Sequence, residues 1–561
     1  ACSTPRNHRR PSTQSVMVLD TAGQRAAEAG FAKVNAGRER DEALTQRLTE
    51  EYSKTVEGMR AVFKTGRSKD VEWRRRQLQG LRRAFHEMHE EIATAVIADL
   101  GGPKMRALGD MGPIVGDAEY ALEHLDEWTK PKTIPGTEGA ALNFGNTSVV
   151  RPTPKGIILN VAPWNFPLAM CFQPLVAALA AGNGAMIKPS EMAPNCAAVI
   201  KKIVETYLDT ELVKVTLGAV PETTALLAQK WDHIFYTGNG CIGRIVMEAA
   251  AKHLTPMTLE LGGKSPCIID STAKIDAAVN RIFFAKTMNC GQVCIAPDYV
   301  LVHESKQEEF TKKFVGQVKK SFGEDHKASP HWGRIINGRH AQRLTGLIES
   351  AGGQVLSGGA DKVDVQEKFV PLTVIKDVPL SAPIMHEEIF GPILPIIPVK
   401  TMEEALSIVE EKERPLALYV FSEDKKFVEE TLTRITSGGA AVNSAMEQII
   451  ANKELPFGGT GGSGFGKYHG RAGFEEFSHM RSVLYKTTMH SNSLMPPPEA
   501  QPAWMYDAGL KMMVVGFVSD STRQKLKVAK WIVGGIALAA LIKVALATSV
   551  GHGILKLASG K

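Results

Sequence analysis

Two short stretches of this 561-residue chain combine residue types that could do chemistry. The first is YTGNGCIG (236–243), a literal GxGxxG from Gly238 to Gly243. It follows an apolar run that reads as a strand and opens a helical run, RIVMEAAAKH. In that context the glycines let backbone N–H groups at a helix N-terminus face a pyrophosphate, which points to a dinucleotide. The usual fingerprint then asks for an acid about twenty residues on to hold a ribose. Glu260, at the end of the next strand, stands near that distance. The second stretch is MNCGQVCIAPDYV (288–300). A lone cysteine is usually a small core residue. Cys294, however, follows an apolar helical run in a glycine-containing turn, where backbone amides can surround a sulfur. A thiolate is a strong nucleophile toward carbonyls once its pKa is lowered. A nucleotide site together with such a thiol reads as hydride removal from a thiol-bound aldehyde, and it makes the ribose assignment of Glu260 suspect.

The elements that must position these residues alternate. Residues 51–130 read as helical, with amphipathic runs such as Leu78, Leu81, Phe85 and Met88. From Gly156 onward strands and helices take turns: GIILNVAPW, a helix stopped at Gly182, then AMIKPS with Ser190 as the expected N-cap of the next helix. VKVTLGA, HIFYTG and TLELGG follow as short apolar strands. Such alternation predicts parallel sheets with right-handed crossovers. A second α/β segment runs from about Ile275 to Val442, and a Gly-rich stretch, Leu455–Gly470, follows it.

Whole motifs then resemble the aldehyde dehydrogenase superfamily. They are APWNFPL (162–168), IKPSE (187–191), YTGNGCIG, LELGGKSP (259–266), NCGQVCIAPDY (289–299), EEIFGP (387–392) and LPFGG (455–459), in the family's order. The resemblance covers about 430 of the 561 residues. AKHLTPMTLELGGKSP, GQVCIAPDY, and KYHG followed by FSHMRS are most similar to the class 3 branch, which includes membrane-anchored fatty aldehyde dehydrogenases.

The resemblance implies an α/β fold of two Rossmann-like parallel-sheet domains, one NAD-binding and one catalytic, with a small oligomerisation segment and a C-terminal hydrophobic helix. The expected order is an extension (1–50), NAD(P)-binding domain (51–258), catalytic domain (259–446), oligomerisation segment (447–490), linker with basic flank (491–530) and anchor helix (531–551). It implies Cys294 as nucleophile, Asn165 with the Cys294 backbone N–H as oxyanion donors, and Glu260 as the base that activates water. Lys188 and Glu191 would hold the adenosine ribose, Gly238 and Gly243 the pyrophosphate turn, and Glu388 and Phe390 the nicotinamide riboside. NAD is the implied cofactor, with NADP as the alternative, and a homodimer the implied assembly. Asn239 and Gly240 depart from the family's common Ser-Thr, and Asn239 keeps a hydrogen-bonding side chain. Cys290, four residues before the nucleophile, is either a reversible disulfide partner for Cys294 or a packing residue. Asn443–Glu454 matches no motif.

Charge bears on partners. Of the net +6, residues 1–16 contribute +3 and residues 521–561 contribute +7, which leaves about −4 for the body. No bulk basic face argues for nucleic acid. Seven cysteines show no paired metal spacing, and no metal site is expected. The acid-free N-terminus reads as a basic tail with a faint likeness to a transit peptide. Trp531–Gly551 is a 21-residue apolar stretch broken by Lys543 and preceded by Arg523, Lys525, Lys527 and Lys530. That length crosses a hydrocarbon core of about 30 Å. A spanning anchor is the first reading, an interfacial helix the second and a buried helix the third. The expected activity is oxidation of medium- or long-chain aliphatic aldehydes at a membrane surface, the endoplasmic reticulum first among several membranes. The alternatives are an enzyme for aromatic or short aldehydes and a non-catalytic tethered paralogue.

Overall fold

The structure, a computed structural model, describes residues 21–135, 146–323, 325–448, 452–487 and Asp507, with side chains from residue 41 onward. The chain divides into two units, residues 1–134 with 149–483, and residues 135–148 with 484–561. Both large sheets and the cavity between them belong to the first unit. The expected anchor, Trp531–Gly551, lies outside the described residues, as do the N-terminal arginines. Among the described residues no helix is long and apolar enough to cross a membrane.

The expected helical run is four helices: α1 (Thr21–Lys64), α2 (Val71–Glu87), α3 (His89–Leu100) and α4 (Met105–Thr129). They pack mainly on one another and on the crossover helices of a six-stranded sheet. On α2 the periodic apolar positions Trp73, Leu78, Leu81 and Phe85 are all buried, and Phe85 meets Phe172 edge-on at 5.4 Å.

The six-stranded sheet contains β3 (Ile157–Val161), β4 (Gly184–Lys188), β5 (Val213–Val215), β6 (His233–Gly238), β7 (Met257–Leu261) and β15 (Gly464–Phe465), in the order β15-β7-β6-β3-β4-β5. All its pairings are parallel except that of β15 with β7. The seven-stranded sheet contains β8 (Pro266–Ile269), β9 (Tyr299–His303), β10 (Gln354–Ser357), β11 (Thr373–Lys376), β12 (Ile393–Val399), β13 (Ala417–Phe421) and β14 (Gly439–Val442). Its order is β10-β11-β12-β9-β8-β13-β14, and only β10 runs antiparallel to its neighbour. The chain leaves the first sheet after Leu261, so a domain boundary at 259 falls inside a strand. Three further strands, β1 (Lys132–Ile134), β2 (Thr147–Pro154) and β16 (Ser478–Tyr485), make a small separate sheet.

The crossover helices of the first sheet are α5 (Pro167–Ala181), α6 (Pro194–Tyr207), α7 (Val220–Leu227) and α8 (Gly240–Ala251). Helix α5 is apolar all round and buried almost completely, as a helix enclosed by other elements must be. It stops at Gly182, whose φ of +89° suits glycine, and the Arg74 guanidinium packs where a β-carbon would stand. Ser190 does not cap the next helix. α6 starts at Pro194, and its first free N–H groups, on Asn195 and Cys196, donate to Asp99 of α3. Likewise the N–H groups of Leu168 and Ala169 at the start of α5 donate to Asp110 of α4. Both helix starts are satisfied from the helical layer rather than by a local side chain.

Each sheet has its own hydrophobic core, and Phe166 and Phe457 pack against both. Asn183 ties the loop before β4 to its surroundings. Its carbonyl accepts from Gly156 N–H at 2.8 Å, and its amide donates to Ala178 and Phe477 carbonyls at 3.1 and 2.9 Å. Asn183→Ala leaves the Gly156 N–H and the Phe477 carbonyl short of a partner, while the Ala178 carbonyl keeps the Gly182 and Asn183 N–H groups. It is expected to cost about 2–4 kcal/mol, measured by denaturant unfolding with unchanged m-value.

Candidate active site

The C-terminal ends of the parallel strands of the first sheet open onto one crevice, the usual place for a nucleotide in such sheets. At the end of β6, Asn239 is the N-cap of α8, its side chain accepting from Ile242 N–H at 2.9 Å. The departure from the common Ser-Thr therefore keeps the capping bond. A β-carbon at Gly238 would lie 2.2 Å from the Tyr236 hydroxyl, and one at Gly243 would lie 3.1 Å from Leu261. Gly238 keeps the turn open and Gly243 lets α8 sit close to β7. At the end of β4, Lys188 is buried, donates to the Pro189 carbonyl at 2.7 Å and stands 3.7 Å from the half-exposed Glu191. Burial lowers its pKa, with Glu191 opposing.

Glu388 and Phe390 come from the loop before β12. One carboxylate oxygen of Glu388 is buried without a partner, and a β-carbon at Gly262 would collide with it. Burial, then Asp298, pushes the Glu388 carboxyl up to about 8, while the Gly263 N–H pulls the other way. Phe390 has φ +46° and stacks edge-on against Trp164 at 5.5 Å. Lys264 holds this loop: it pairs with Asp298 and donates to the Ile384 and Glu387 carbonyls, while Asp298 accepts from Ile389 N–H. A helix N-terminus, a lysine–glutamate pair and an orphaned buried carboxylate together fit a dinucleotide with two riboses.

Cys294 follows helix α9 (Ile275–Thr287) and a turn that runs left-handed through Asn289 (φ +49°), Cys290 (φ +52°) and Gly291 (φ +71°). A β-carbon at Gly291 would lie 2.3 Å from the Gly391 carbonyl, so the turn before Cys294 and the Glu388 loop touch backbone to backbone. The two other residues bear the strain of the left-handed region. Their turn is locked by amides. Asn289 donates to the carbonyls of Asn165 (2.6 Å) and Gln292 (3.1 Å), and Gln292 donates to the carbonyls of Asn289 (3.0 Å) and Arg334 (3.1 Å). The Asn165 side chain donates in turn to the Gln292 carbonyl at 3.1 Å, which leaves its second amide hydrogen for another acceptor.

Cys294, Glu260 and Asn165 line one cavity of about 380 Å³. The rest of its wall is mostly apolar, from Leu108, Phe166, Met170, Val293, Leu416 and Phe457. Burial pushes the Cys294 thiol far up, and the Glu388 and Glu260 carboxyls add to this. The N–H groups of Cys294 and Ile295 point at the sulfur and favour the thiolate. Glu260 is 3% exposed, and neither carboxylate oxygen has a partner among the described residues. Burial, then Glu476, raises its pKa well above the ordinary 4.5. Glu260 thus faces the thiol's cavity, while Lys188 and Glu191 occupy the end of another strand.

Cys290 does not line the cavity. It is buried in the second core with its sulfur toward Gly333 and Arg106, which favours the packing reading over a disulfide with Cys294. Tyr468, His469, Lys453 and Met446 do line the cavity; the first two belong to KYHG, which the resemblance quoted without a role at the site. The last two lie in the segment that matched nothing. Lys453 and His469 share Asp117, at 2.8 and 3.6 Å, so a small charged cluster closes one side of an otherwise apolar space.

A model of the aldehyde dehydrogenase family matches residues 32–483. Aldehyde dehydrogenase family 3 member A2 of Macaca fascicularis is 43% identical over 449 residues, 80% of this chain and 91% of that protein. A dimeric, NADP-preferring aldehyde dehydrogenase of Canis lupus familiaris is 40% identical over 443 residues, 79% of this chain and 96% of that protein. The structure of Staphylococcus aureus AldH in its substrate-bound state matches with a TM-score of 0.77 at 37% identity, covering 82% of this chain and 98% of that one.

The amide lock yields a test away from the reacting atoms. Asn289→Ala removes the bonds that fix Asn165 relative to Cys294. A displacement of about 1 Å in such a constellation costs on the order of 10²-fold. The expected outcome is that loss in kcat with nucleotide binding, measured by fluorescence titration, unchanged.

Proposed function

The chain belongs to the aldehyde dehydrogenase family, and from that premise we propose that it oxidises medium- or long-chain aliphatic aldehydes to carboxylic acids at a membrane surface. The observation that carries the proposal is the single apolar cavity in which Cys294, Glu260 and Asn165 meet.

On this reading the Cys294 sulfur attacks the carbonyl carbon, and the thiol proton leaves through Glu260 or water. The resulting oxyanion accepts from the second Asn165 amide hydrogen and from the Cys294 backbone N–H. Donors aimed at charge that exists only in the transition state are worth about 10²–10³ in turnover each. As the C=O bond re-forms, the former aldehyde hydrogen leaves as hydride and the carbon stays on Cys294 as a thioester; NAD(P), which Lys188, Glu191 and Glu388 would hold, would supply the hydride acceptor. Glu260 then takes a proton from water, whose oxygen attacks the acyl carbon of the thioester, and Cys294 departs as thiolate. The balance is one aldehyde and one water in, and one acid, one hydride and one proton out.

A carboxyl buried without partners is a weak acid, and only its ionised form can act as base. Because Glu260 is shifted upward, the ascending limb of kcat is expected to lie well above pH 4.5. Glu260→Gln should abolish that limb and let acyl-enzyme accumulate in a burst; a limb unmoved by the substitution would assign the base elsewhere.

The Glu191 carboxylate beside Lys188 suits a free ribose hydroxyl better than a phosphate, so NAD is the preferred cofactor. The apolar wall and the sequence of the C-terminal stretch support a lipid-derived aldehyde and a membrane address. Ile242, Ile245 and Met247 are exposed on α8, and together with the dimeric relative they support a homodimer. The test is steady-state kinetics on a graded series from hexanal to hexadecanal with NAD and NADP, on full-length and tail-deleted protein. The expected outcome is kcat/KM rising with chain length and higher with NAD. Equal turnover of both aldehydes by the tail-deleted protein would collapse the lipid argument. Cys294→Ser should lose all aldehyde-dependent NADH formation.

A further inference from the structure

Helix α4 turns three glycines and a proline toward the cavity: Gly109, Gly112, Pro113 and Gly116 all line it. Spacings of three, four and seven residues place them on one face of the helix. Glycine is the poorest helix former after proline, so four such residues within eight positions need a reason.

Backbone conformation does not provide one. None of the three glycines has a positive φ. Packing does not require them at the first two positions either. A β-carbon added at Gly109 or Gly112 would meet no heavy atom within 4 Å, and at Gly116 it would lie 3.2 Å from the flexible stem of Lys453. The opposite face of α4 is an ordinary core face, with Ala107, Met111, Ile114 and Ala118 buried. What the glycines do is leave space empty, and that space leads to Cys294. The same cavity contains Glu260, 3% exposed with both oxygens unpartnered, so it is polar and reactive at its floor and bare backbone along this wall.

We propose that the glycine face of α4 sets the width of the passage for the aldehyde's apolar tail, and so determines which tails reach Cys294. Gly109 and Gly112, the more exposed pair, act near the entrance, and Gly116 acts beside the Lys453–Asp117 pair. This rests on the reading that aldehydes react at Cys294. A passage walled by backbone admits a tail wider than one straight chain, whereas a leucine at either entrance position would fill it.

The experiment compares wild type, Gly109→Ala, Gly109→Leu and Gly112→Leu on hexanal, hexadecanal and a methyl-branched aldehyde of intermediate length. Adding a few methylenes to an apolar pocket changes discrimination by about 10–200-fold. The leucine variants are expected to keep kcat/KM for hexanal within about twofold and to lose about tenfold or more for the branched and long aldehydes. Gly109→Ala should leave Tm unchanged or raise it by about 1–2 °C, because the added carbon meets nothing and glycine's entropic cost is removed. Leucine variants that lower all three substrates equally, or none, overturn the proposal. Failure of the underlying reading shows in a different arm: wild-type protein that oxidises no aldehyde, or Cys294→Ser that still does, removes the reaction and this inference with it.

Discussion

The left-handed turn through Asn289, Cys290 and Gly291 is the constraint on which the site depends. Non-glycine residues in this region each cost of order 1–3 kcal/mol, and the turn contains two of them in succession. It persists because Asn289 and Gln292 spend their amides on backbone carbonyls of the turn, of Arg334 and of Asn165. Asn165 follows β3 of the first sheet, while Cys294 precedes β9 of the second. One knot of side-chain amides therefore fixes Cys294 and Asn165, the proposed nucleophile and oxyanion donor, in a common frame, although they are 129 positions apart in the chain. The close approach of Gly291 to Gly391 extends that frame to the loop that carries Glu388 and Phe390.

Much of this was legible in the sequence where the cause is local. The apolar strands, the glycine stop of α5 and the strand–turn–helix around Gly238 follow from periodicity and from φ requirements that only nearby residues set. Motif order also located Cys294, Glu260 and Asn165 before any contact was visible. What was not legible comes from distant partners. Ser190 was the natural local cap, yet Asp99, 97 positions before Cys196, supplies the acceptor instead. Asp110 does the same for α5 from 59 positions away. No window of local sequence contains both members of such a pair. Tyr468 and His469 were quoted within KYHG, but their place in the cavity was not legible for a similar reason: they reach it where β15 folds back antiparallel onto β7, with Gly464 opposite Glu260.

The electrostatics of the cavity follow from its dryness. Among the described residues Glu260 has no hydrogen-bond or ion-pair partner, Glu388 is pushed up to about 8, and both add to the burial that raises the Cys294 thiol. Pairing Glu260 with a lysine would have stabilised its ionised form and made it a poorer base, since a carboxylate held far below neutral pH has little affinity for a proton. Two lysines in the surroundings are paired elsewhere: Lys453 with Asp117 on the cavity's side, and Lys264 with Asp298, which holds a loop. Stability given up at Glu260 is the physical counterpart of basicity retained.

The same logic separates the two ends of the cavity. At the floor, burial without partners disfavours the charged forms of thiol and carboxyl, and the fixed charge lining the cavity is the Lys453–Asp117 pair on one side wall. On the proposed mechanism, once a carbonyl is bound the sulfur's proton passes to ionised Glu260 or to water, and the negative charge moves to the carbonyl oxygen, where the Asn165 amide and the backbone N–H of Cys294 are the candidate donors. Water would defeat this by solvating the carboxylate and lowering its pKa. The apolar wall is therefore part of the acid–base chemistry as well as of substrate fit, and a passage that is wide when empty has to be filled by the substrate's own tail. An aldehyde with a tail long enough to exclude water from Glu260 would raise that group's basicity as it binds, which couples recognition of the tail to hydrolysis of the thioester at the other end.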